Sequence, residues 1–288
     1  MRGLNHQLKT LCRNNREGSY GTQIRREREL TLMANELHEL GYRGMNSHSL
    51  KPKHVEALVG HWVENEVTTG TIKNRMSAVR WWARKVNRQN VVARSNDHYG
   101  IPNRLFVTNT NKAKSILEVD LAKVRDEHVR MSLELQQAFG LRREESIKFI
   151  PAYADQGDLL VLKRSWTKGG KARAIPIRTE AQRDVLGRAH RLAGKGSLIP
   201  SARNYVQQLR IYEGNTTRAG LSKMHGLRHA YAQRRYEALT GRKSPAAGGP
   251  TSKSLSSEQR KLDRDVRLII SRELGHERIQ IVSVYLGK

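Results

Sequence analysis

The sequence predicts a two-domain, mainly α-helical protein with one small β-hairpin in its C-terminal domain. Apolar residues recur at three- and four-residue steps over most of the 288 residues, which is the period of an amphipathic helix. Two short apolar segments that flank a Lys-Gly-Gly-Lys turn, Lys168 to Lys171, break this period. A stretch rich in Asn, Ser, Gly and Pro near residue 100 has the composition of a linker. We therefore expect an N-terminal helical domain at 1–100, a linker at 101–114 and a second domain at 115–288.

The N-terminal domain is predicted to be a small helical bundle. Its helices are expected from Gly21 to Leu40, from Pro52 through Trp62 and from about Thr71 to Val86. The third helix carries basic side chains between its apolar positions, which gives either a functional basic face or an ordinary solvated face. These basic residues are Lys73, Arg75, Arg80, Arg84, Lys85 and Arg88.

The C-terminal domain is predicted to be helical around its hairpin. A helical pattern runs from Ser115 to Phe139, and two strands are expected at 158–163 and 172–177. Further helices are expected at 180–192, 202–212, 225–239, 263–274 and 279–286. The segment from Gly241 to Gln259 is rich in Gly, Ser and Pro and has no apolar face, so it predicts a mobile loop or insertion.

The charge and cysteine counts exclude several classes of protein. Lys and Arg number 53 against 27 Asp and Glu, a formal net charge of +26, which favours a polyanionic partner. The one cysteine, Cys12, cannot form an internal disulfide or a Cys-rich zinc site, as is typical of a cytosolic protein. No apolar run approaches the roughly 18 residues of a membrane span. No His-Glu-x-x-His or paired-Asp motif indicates a catalytic metal, so we expect neither a metal nor a cofactor.

Four clusters in the C-terminal domain combine cations, imidazoles and one tyrosine. They are centred on Arg142 and Glu145, on Lys168, on His225, Arg228 and His229, and on His276 and Tyr285. Two guanidiniums in one pocket would match the oxygens of a phosphate and stay charged at any working pH. Each cluster also has a plainer interpretation: a helical ion pair, an exposed turn lysine, a capping or core histidine, and a tyrosine packed in the core.

The order and spacing of these clusters resemble the tyrosine recombinase (phage integrase) family. The family's Gly-Leu-Arg-x-x-Glu motif is matched by 140–145, and its Lys-Gly-x-Lys-x-Arg-x-x-Pro hairpin by 168–176. Its His-x-Leu-Arg-His box falls on 225–229 and its Leu-Gly-His motif on 274–276, with a tyrosine nine residues further on. The resemblance implies a tyrosine recombinase catalytic domain and, more loosely, that the N-terminal bundle is the family's SAM-like core-binding domain.

The resemblance also implies a role for each residue of the site. The implied catalytic set is Arg142, Lys168, His225, Arg228, His276 and Tyr285, with Glu145 and His229 as supporting residues. Tyr285 would attack the scissile phosphate, the two arginines would neutralise it, and Lys168 would protonate the departing 5′-oxygen. His225 would assist proton transfer, His276 would bond the phosphate, and Glu145 would orient Arg142. The implied DNA contacts are Lys73, Arg75, Arg80, Arg84, Lys171 and Arg173.

By this resemblance the protein is expected to be a site-specific recombinase, in the first place the integrase of a mobile element. Double-stranded DNA is the expected partner, with a homotetramer in the synapse, a monomer in free solution and accessory DNA-bending or excision proteins. The expected location is the cytoplasm, at the nucleoid, with no membrane partner. A type IB topoisomerase, a resolvase of plasmid dimers and a non-catalytic DNA-binding protein are the alternatives.

Two features depart from the family's usual pattern. The segment 241–259 lengthens the interval between Arg228 and His276. Only three residues follow Tyr285, whereas the family's chains usually continue into a tail helix that docks on a neighbouring protomer. Either the chain is truncated at this point or its subunits couple differently.

Overall fold

The computed structural model describes residues 3–276 and 278–288, and the chain divides into two compact units, Met1–Leu105 and Phe106–Lys288. The predicted fold class is confirmed, because the described residues are mainly helical and contain one small antiparallel sheet. The first unit contains the helices α1 (Gly3–Asn14), α2 (Tyr20–Glu39), α3 (Pro52–Glu64) and α4 (Thr69–Lys85). None of the helices in the described ranges is long and apolar enough to cross a membrane.

Helix α1 is an element that the sequence analysis did not predict. Its residues Leu4, Leu8 and Cys12 recur at four-residue steps and are buried. They lie in one apolar core with residues of α2, α3 and α4, among them Leu30 and Trp62. The helix therefore contributes one face to the core of the first unit.

A buried carboxylate connects three helices of the first unit. Glu36 of α2 accepts hydrogen bonds from Trp62 Nε1 of α3 at 2.8 Å and from Arg75 Nη1 of α4 at 3.1 Å. The guanidinium of Arg75 also lies 5.2 Å from the centre of the Trp62 ring. Because a buried carboxylate needs a cation and donors, Arg75 is part of the interior of this unit.

The second unit opens with two helices where the sequence predicted one. They are α5 (Glu118–Ala122) and α6 (Glu127–Phe139). The chain turns between them because Asp126 caps α6, with its side chain accepting from Val129 N at 3.0 Å. The short helices α7 (Arg143–Ile147) and α8 (Pro151–Ala154) follow, and neither was predicted.

The predicted hairpin is present. Its strands are β1 (Leu159–Leu162) and β2 (Arg173–Pro176), which pair antiparallel with Leu162 opposite Arg173. The connection is longer than a tight turn and includes a 3₁₀ turn at Arg164–Trp166. Trp166 is buried and packs against Phe149, so the base of the connection is fixed to the core while Lys168 is exposed.

The remaining helices surround the core of the second unit. They are α9 (Glu180–Ala193), α10 (Tyr205–Arg218), α11 (His225–Thr240), α12 (Ser257–Glu273) and α13 (Ile279–Leu286). Helix α10 begins three residues later than predicted, because Asn204 and Gln207 form a capping box. Helices α6, α11, α12 and α13 contribute Phe139, Tyr231, Ile270 and Val282 to one apolar cluster.

The predicted loop 241–259 contains more structure than its composition suggested. A 3₁₀ turn at Pro245–Ala247 is largely buried, and Ser244 has no exposed surface. Helix α12 starts at Ser257, six residues earlier than predicted, because Ser256 and Gln259 form a capping box. The segment also packs closely against Gly287, the residue that follows α13, because a Cβ atom there would lie only 3.0 Å from Pro245 Cβ. The expectation of a segment without a buried face is therefore wrong.

Candidate active site

The first arginine of the site is held by the turn between α6 and α7. Gly140 ends α6 with φ +63°, and a Cβ there would lie 2.6 Å from the Tyr231 ring, so this turn requires glycine. Arg142 occupies the N-cap of α7, where Glu145 Oε2 accepts from its backbone N at 2.7 Å. Glu145 Oε1 accepts from Arg142 Nη1 at 2.8 Å. The carboxylate thus fixes both the backbone and the guanidinium of Arg142.

The second arginine, Arg228 of α11, lies in the interior. Only 1% of its surface is exposed, and burial lowers the pKa of its guanidinium to about 10, so it remains protonated at neutral pH. Its Nη1 donates to the carbonyl of Gly140 at 2.5 Å, and its Nη2 donates to the carbonyl of Leu274. Its Nε donates to the hydroxyl of Tyr285 at 3.3 Å. Among the described residues, these bonds use three of its five N–H groups.

Two of the sequence clusters, the 225–229 box and the cluster of His276 and Tyr285, meet at the hydroxyl of Tyr285. Besides Arg228 Nε, it lies 3.4 Å from His276 Nε2 and 3.5 Å from His225 Nε2. The residue is 5% exposed, and Gln233 of α11 donates to its backbone carbonyl at 3.2 Å. A phenol, a cation and two imidazoles therefore converge on one oxygen atom.

The imidazoles of the site are kept neutral. Burial, followed by the charges of Arg228, Arg142 and Arg173, lowers the pKa of His276 to about 4. The pKa of His225 is lowered by burial and then by Arg228 and Arg142. A neutral ring nitrogen accepts a proton, so both histidines can act as proton acceptors at neutral pH.

His229, the predicted supporting residue, packs beneath Tyr285. The centres of the two rings are 4.7 Å apart, and the centres of the His225 and His229 rings are 5.6 Å apart. Burial, then the charges of His225 and Lys112, lowers the pKa of His229 to about 4. His229 therefore contributes an uncharged surface against the phenol ring.

Lys168 is exposed at the tip of the hairpin. Together with Arg142, Trp166 and His225 it lines a cavity of about 520 Å³ on the second unit. The two glycines that follow it have positive φ values, +86° at Gly169 and +66° at Gly170. The hairpin thus presents an ammonium to the same cavity as one arginine and one histidine of the site.

The predicted DNA contacts fall into two groups. Arg84 and Lys171 are exposed, and Lys73 is half-exposed. Arg75 is paired with Glu36, and the guanidinium of Arg80 donates to Ala93 O and Asn96 Oδ1. Both side chains are half-buried and have partners within their own unit, and their contact with DNA stays a prediction.

Arg173, the remaining predicted DNA contact, is paired within the second unit. Only 6% of its side chain is exposed, and both of its Nη atoms donate to the carboxylate of Glu145. The position of Arg173 on β2 could have given a signal, since it directly opposes the buried Leu162 of β1 in the strand register. No group of three or more His, Cys, Asp or Glu side chains in the described ranges forms a candidate metal site.

Comparison with known proteins decides the family. A family model described as "Phage integrase, N-terminal" matches residues 1–92, and one described as "Integrase" matches residues 106–234. The chain belongs to the tyrosine recombinase family. The search of curated proteins found no match.

Solved tyrosine recombinases have the same fold. A lambda integrase tetramer bound to a Holliday junction matches with a TM-score of 0.61 at 15% identity, covering 98% of this chain and 78% of that one. XerH recombinase bound to palindromic difH matches with a TM-score of 0.60 at 15% identity, covering 99% and 81% of the two chains. The Tn1549 transposon integrase with circular intermediate DNA matches with a TM-score of 0.58 at 12% identity, covering 100% and 96%.

Proposed function

We propose that this tyrosine recombinase cleaves and rejoins duplex DNA at specific sites through a 3′-phosphotyrosyl intermediate. The observation that carries the proposal is the hydroxyl of Tyr285, which lies within 3.5 Å of Arg228, His225 and His276. A solvent-exposed phenol has a pKa near 10 and is a weak nucleophile at neutral pH. Neighbouring proton acceptors and a cation supply the activation that it needs.

In the proposed reaction, each of these residues has one part. Tyr285 Oη attacks the scissile phosphorus, the bond to the 5′-oxygen breaks, and the tyrosine proton passes to His225. Arg142 and Arg228 stabilise the negative charge that develops on the phosphate oxygens, and His276 bonds one of those oxygens. Lys168 gives its proton to the departing 5′-oxygen. A 5′-hydroxyl then attacks the phosphotyrosine in the reverse reaction, so rejoining requires no ATP.

The proposal extends to the assembly. A solved relative, lambda integrase, forms a tetramer on a Holliday junction. Exchange of strands between two duplexes requires two cleavages in each duplex, so we propose that four copies of this chain act in one synapse. The matches to an integrase family model and to a transposon integrase favour a mobile element as the DNA that is moved.

The test is a search for covalent protein–DNA adducts. Wild-type protein and Tyr285→Phe are incubated with a pool of nicked duplexes of randomised sequence, in which cleavage near the nick releases a short fragment and traps the adduct. We expect wild type to form adducts that resist denaturant and share a DNA sequence, with none from the variant. Adducts that persist in Tyr285→Phe would remove this tyrosine as the nucleophile.

Two further measurements on the recovered duplex separate the alternatives. Adduct formation that continues in excess EDTA agrees with charge stabilisation by arginines, whereas loss in EDTA would contradict it. Joining of two duplexes that carry the recovered sequence supports a recombinase. Relaxation of supercoiled DNA without such joining would instead indicate a topoisomerase.

A further inference from the structure

Arg173 of β2 makes an enclosed ion pair with Glu145 of α7. Its Nη1 lies 2.6 Å from Oε1 and its Nη2 lies 2.7 Å from Oε2, which is a bidentate fork of the kind that fixes geometry. The two side chains are 6% and 1% exposed. The guanidinium of Arg173 is therefore used inside the second unit.

The same carboxylate also holds Arg142. Glu145 accepts from the backbone N and from Nη1 of Arg142, so it links β2 directly to the first arginine of the site. Burial of Glu145 opposes its ionisation, but the bonds and charge of Arg173, and then the charges of Arg228 and Arg142, lower its pKa to about 2. The carboxylate is ionised at every pH at which the enzyme would work.

The stem of Arg173 reaches a third part of the site. Gly275 has φ +67°, and a Cβ atom there would lie 3.0 Å from Arg173 Cδ and Nη1. This glycine stands between Leu274, whose carbonyl accepts from Arg142 and Arg228, and His276. Arg173 thus packs against the turn that holds both His276 and a carbonyl shared by the two arginines.

We propose that Arg173 is a positioning residue for DNA cleavage: it holds Glu145, and through Glu145 it sets the guanidinium of Arg142 relative to Tyr285. It also ties β2, and so the hairpin that carries Lys168, to the turn that carries Arg142. This role rests on the proposed cleavage reaction. Lysine cannot replace it, because a single ammonium does not reproduce the two parallel bonds of the fork.

The test compares Arg173→Gln and Arg173→Lys with wild type on the recovered nicked duplex at saturating protein. We expect the first-order rate of adduct formation to fall by about 10²-fold in both variants, since a shift of about 1 Å in a positioned group has that effect. The dissociation constant for an unnicked duplex of the same sequence should change less than about twofold, because the side chain is buried. The Lys variant keeps a charge beside Glu145 and so maintains the test if the Gln variant does not fold.

A pH profile distinguishes positioning from general destabilisation. Glu145 is faced by Arg142, Arg173 and Arg228, so removing Arg173 raises its pKa and lets it protonate more easily. We expect the rate of Arg173→Gln to fall more steeply than that of wild type between pH 7 and pH 5. The matched control is Arg183→Gln, which breaks an arginine–aspartate pair with Asp155 in the same unit and should leave the rate unchanged.

Two outcomes would overturn the inference. One is a wild-type rate and pH profile in both Arg173 variants. The other is weakened binding of the unnicked duplex with an unchanged first-order rate, which would make Arg173 a DNA contact. Failure of the wild-type protein to form any adduct would instead contradict the proposed function itself.

Discussion

Among the single residues of the site, one buried cation stays charged while the buried histidines around it are neutral. Arg228 keeps its proton although it is almost fully buried, and the histidines around Tyr285 lose theirs. Burial and neighbouring cations lower the pKa of all three groups, but the guanidinium starts from 12.5 and stays charged, whereas the imidazoles start from 6.5 and become neutral. The hydroxyl of Tyr285 therefore lies beside one permanent cation, Arg228, and two neutral proton acceptors, His225 and His276.

This arrangement predicts a dependence of stability on pH. His229 and His276 have pKa values of about 4 in the folded protein and near 6.5 when unfolded, so the unfolded chain binds more protons below pH 6.5. The free energy of unfolding of the second unit should therefore decrease as pH falls from about 6.5 to about 4. Urea unfolding at several pH values measures this, with NMR titration of the ring protons as the direct check. A normal pKa for both rings would contradict it.

Gly140 gives a second prediction at this scale. Gly140→Ala places a methyl group 2.6 Å from the Tyr231 ring and adds the strain of φ +63°. We expect loss of stability by at least about 2 kcal/mol and slower adduct formation, because the carbonyl of Gly140 holds Arg228. Gly157→Ala is the control, since φ there is +75° but no atom lies within 4 Å of the added Cβ. Equal effects of the two substitutions would show that the Tyr231 contact is unimportant.

The sequence could name the residues of the site but not their surroundings. Motif spacing identified Arg142, His225, Arg228, His276 and Tyr285, which the structure brings close together. For Arg173, the resemblance of the hairpin motif implied a DNA contact instead. Its partner Glu145 is 28 residues away in sequence, so the residues around Arg173 could not identify the pairing.

At the scale of elements, the long helices were predictable and the short ones were not. Helices α2, α3, α4, α11 and α13 follow apolar periodicity, and their observed ends lie within about two residues of those predicted. The short helices α7 and α8 have four or five residues, which is too few to show a period. The predicted start of α12 is too late, because the prediction gave more weight to the composition of 241–259 than to the capping pair Ser256 and Gln259.

The segment before α12 is predicted to support α13, the helix that carries Tyr285. Ala246→Glu would place a carboxylate on a residue that is 6% exposed, beside the backbone of Gly287. We expect a fall in melting temperature of about 5 °C or more and slower adduct formation, since α13 ends against this segment. Ser252→Glu, an equal change of charge at an exposed position, should alter neither. A normal melting temperature for Ala246→Glu would contradict this support.

At the scale of the whole molecule, the net charge of +26 predicts binding to DNA that depends strongly on salt. Neutralising six or more phosphates would reduce affinity by about 10³-fold or more between 50 and 200 mM salt. Fluorescence anisotropy with a labelled duplex measures the slope of log affinity against log salt.

The exposed Arg84 lies on α4 together with the paired Arg75. Arg84→Gln should lower the slope by about one, whereas Arg75→Gln should not. Equal slopes for both variants would contradict a DNA-binding role for Arg84.

Mass spectrometry of the adduct identifies the residue that is bonded to DNA, which we propose to be Tyr285. The adduct from wild-type protein and the recovered nicked duplex is digested with trypsin and nuclease, and the modified peptide is sequenced. We predict a nucleotide joined through its 3′-phosphate to the peptide that contains Tyr285, and a free 5′-hydroxyl on the released strand. A nucleotide on any other residue, or attachment through a 5′-phosphate, would contradict the account.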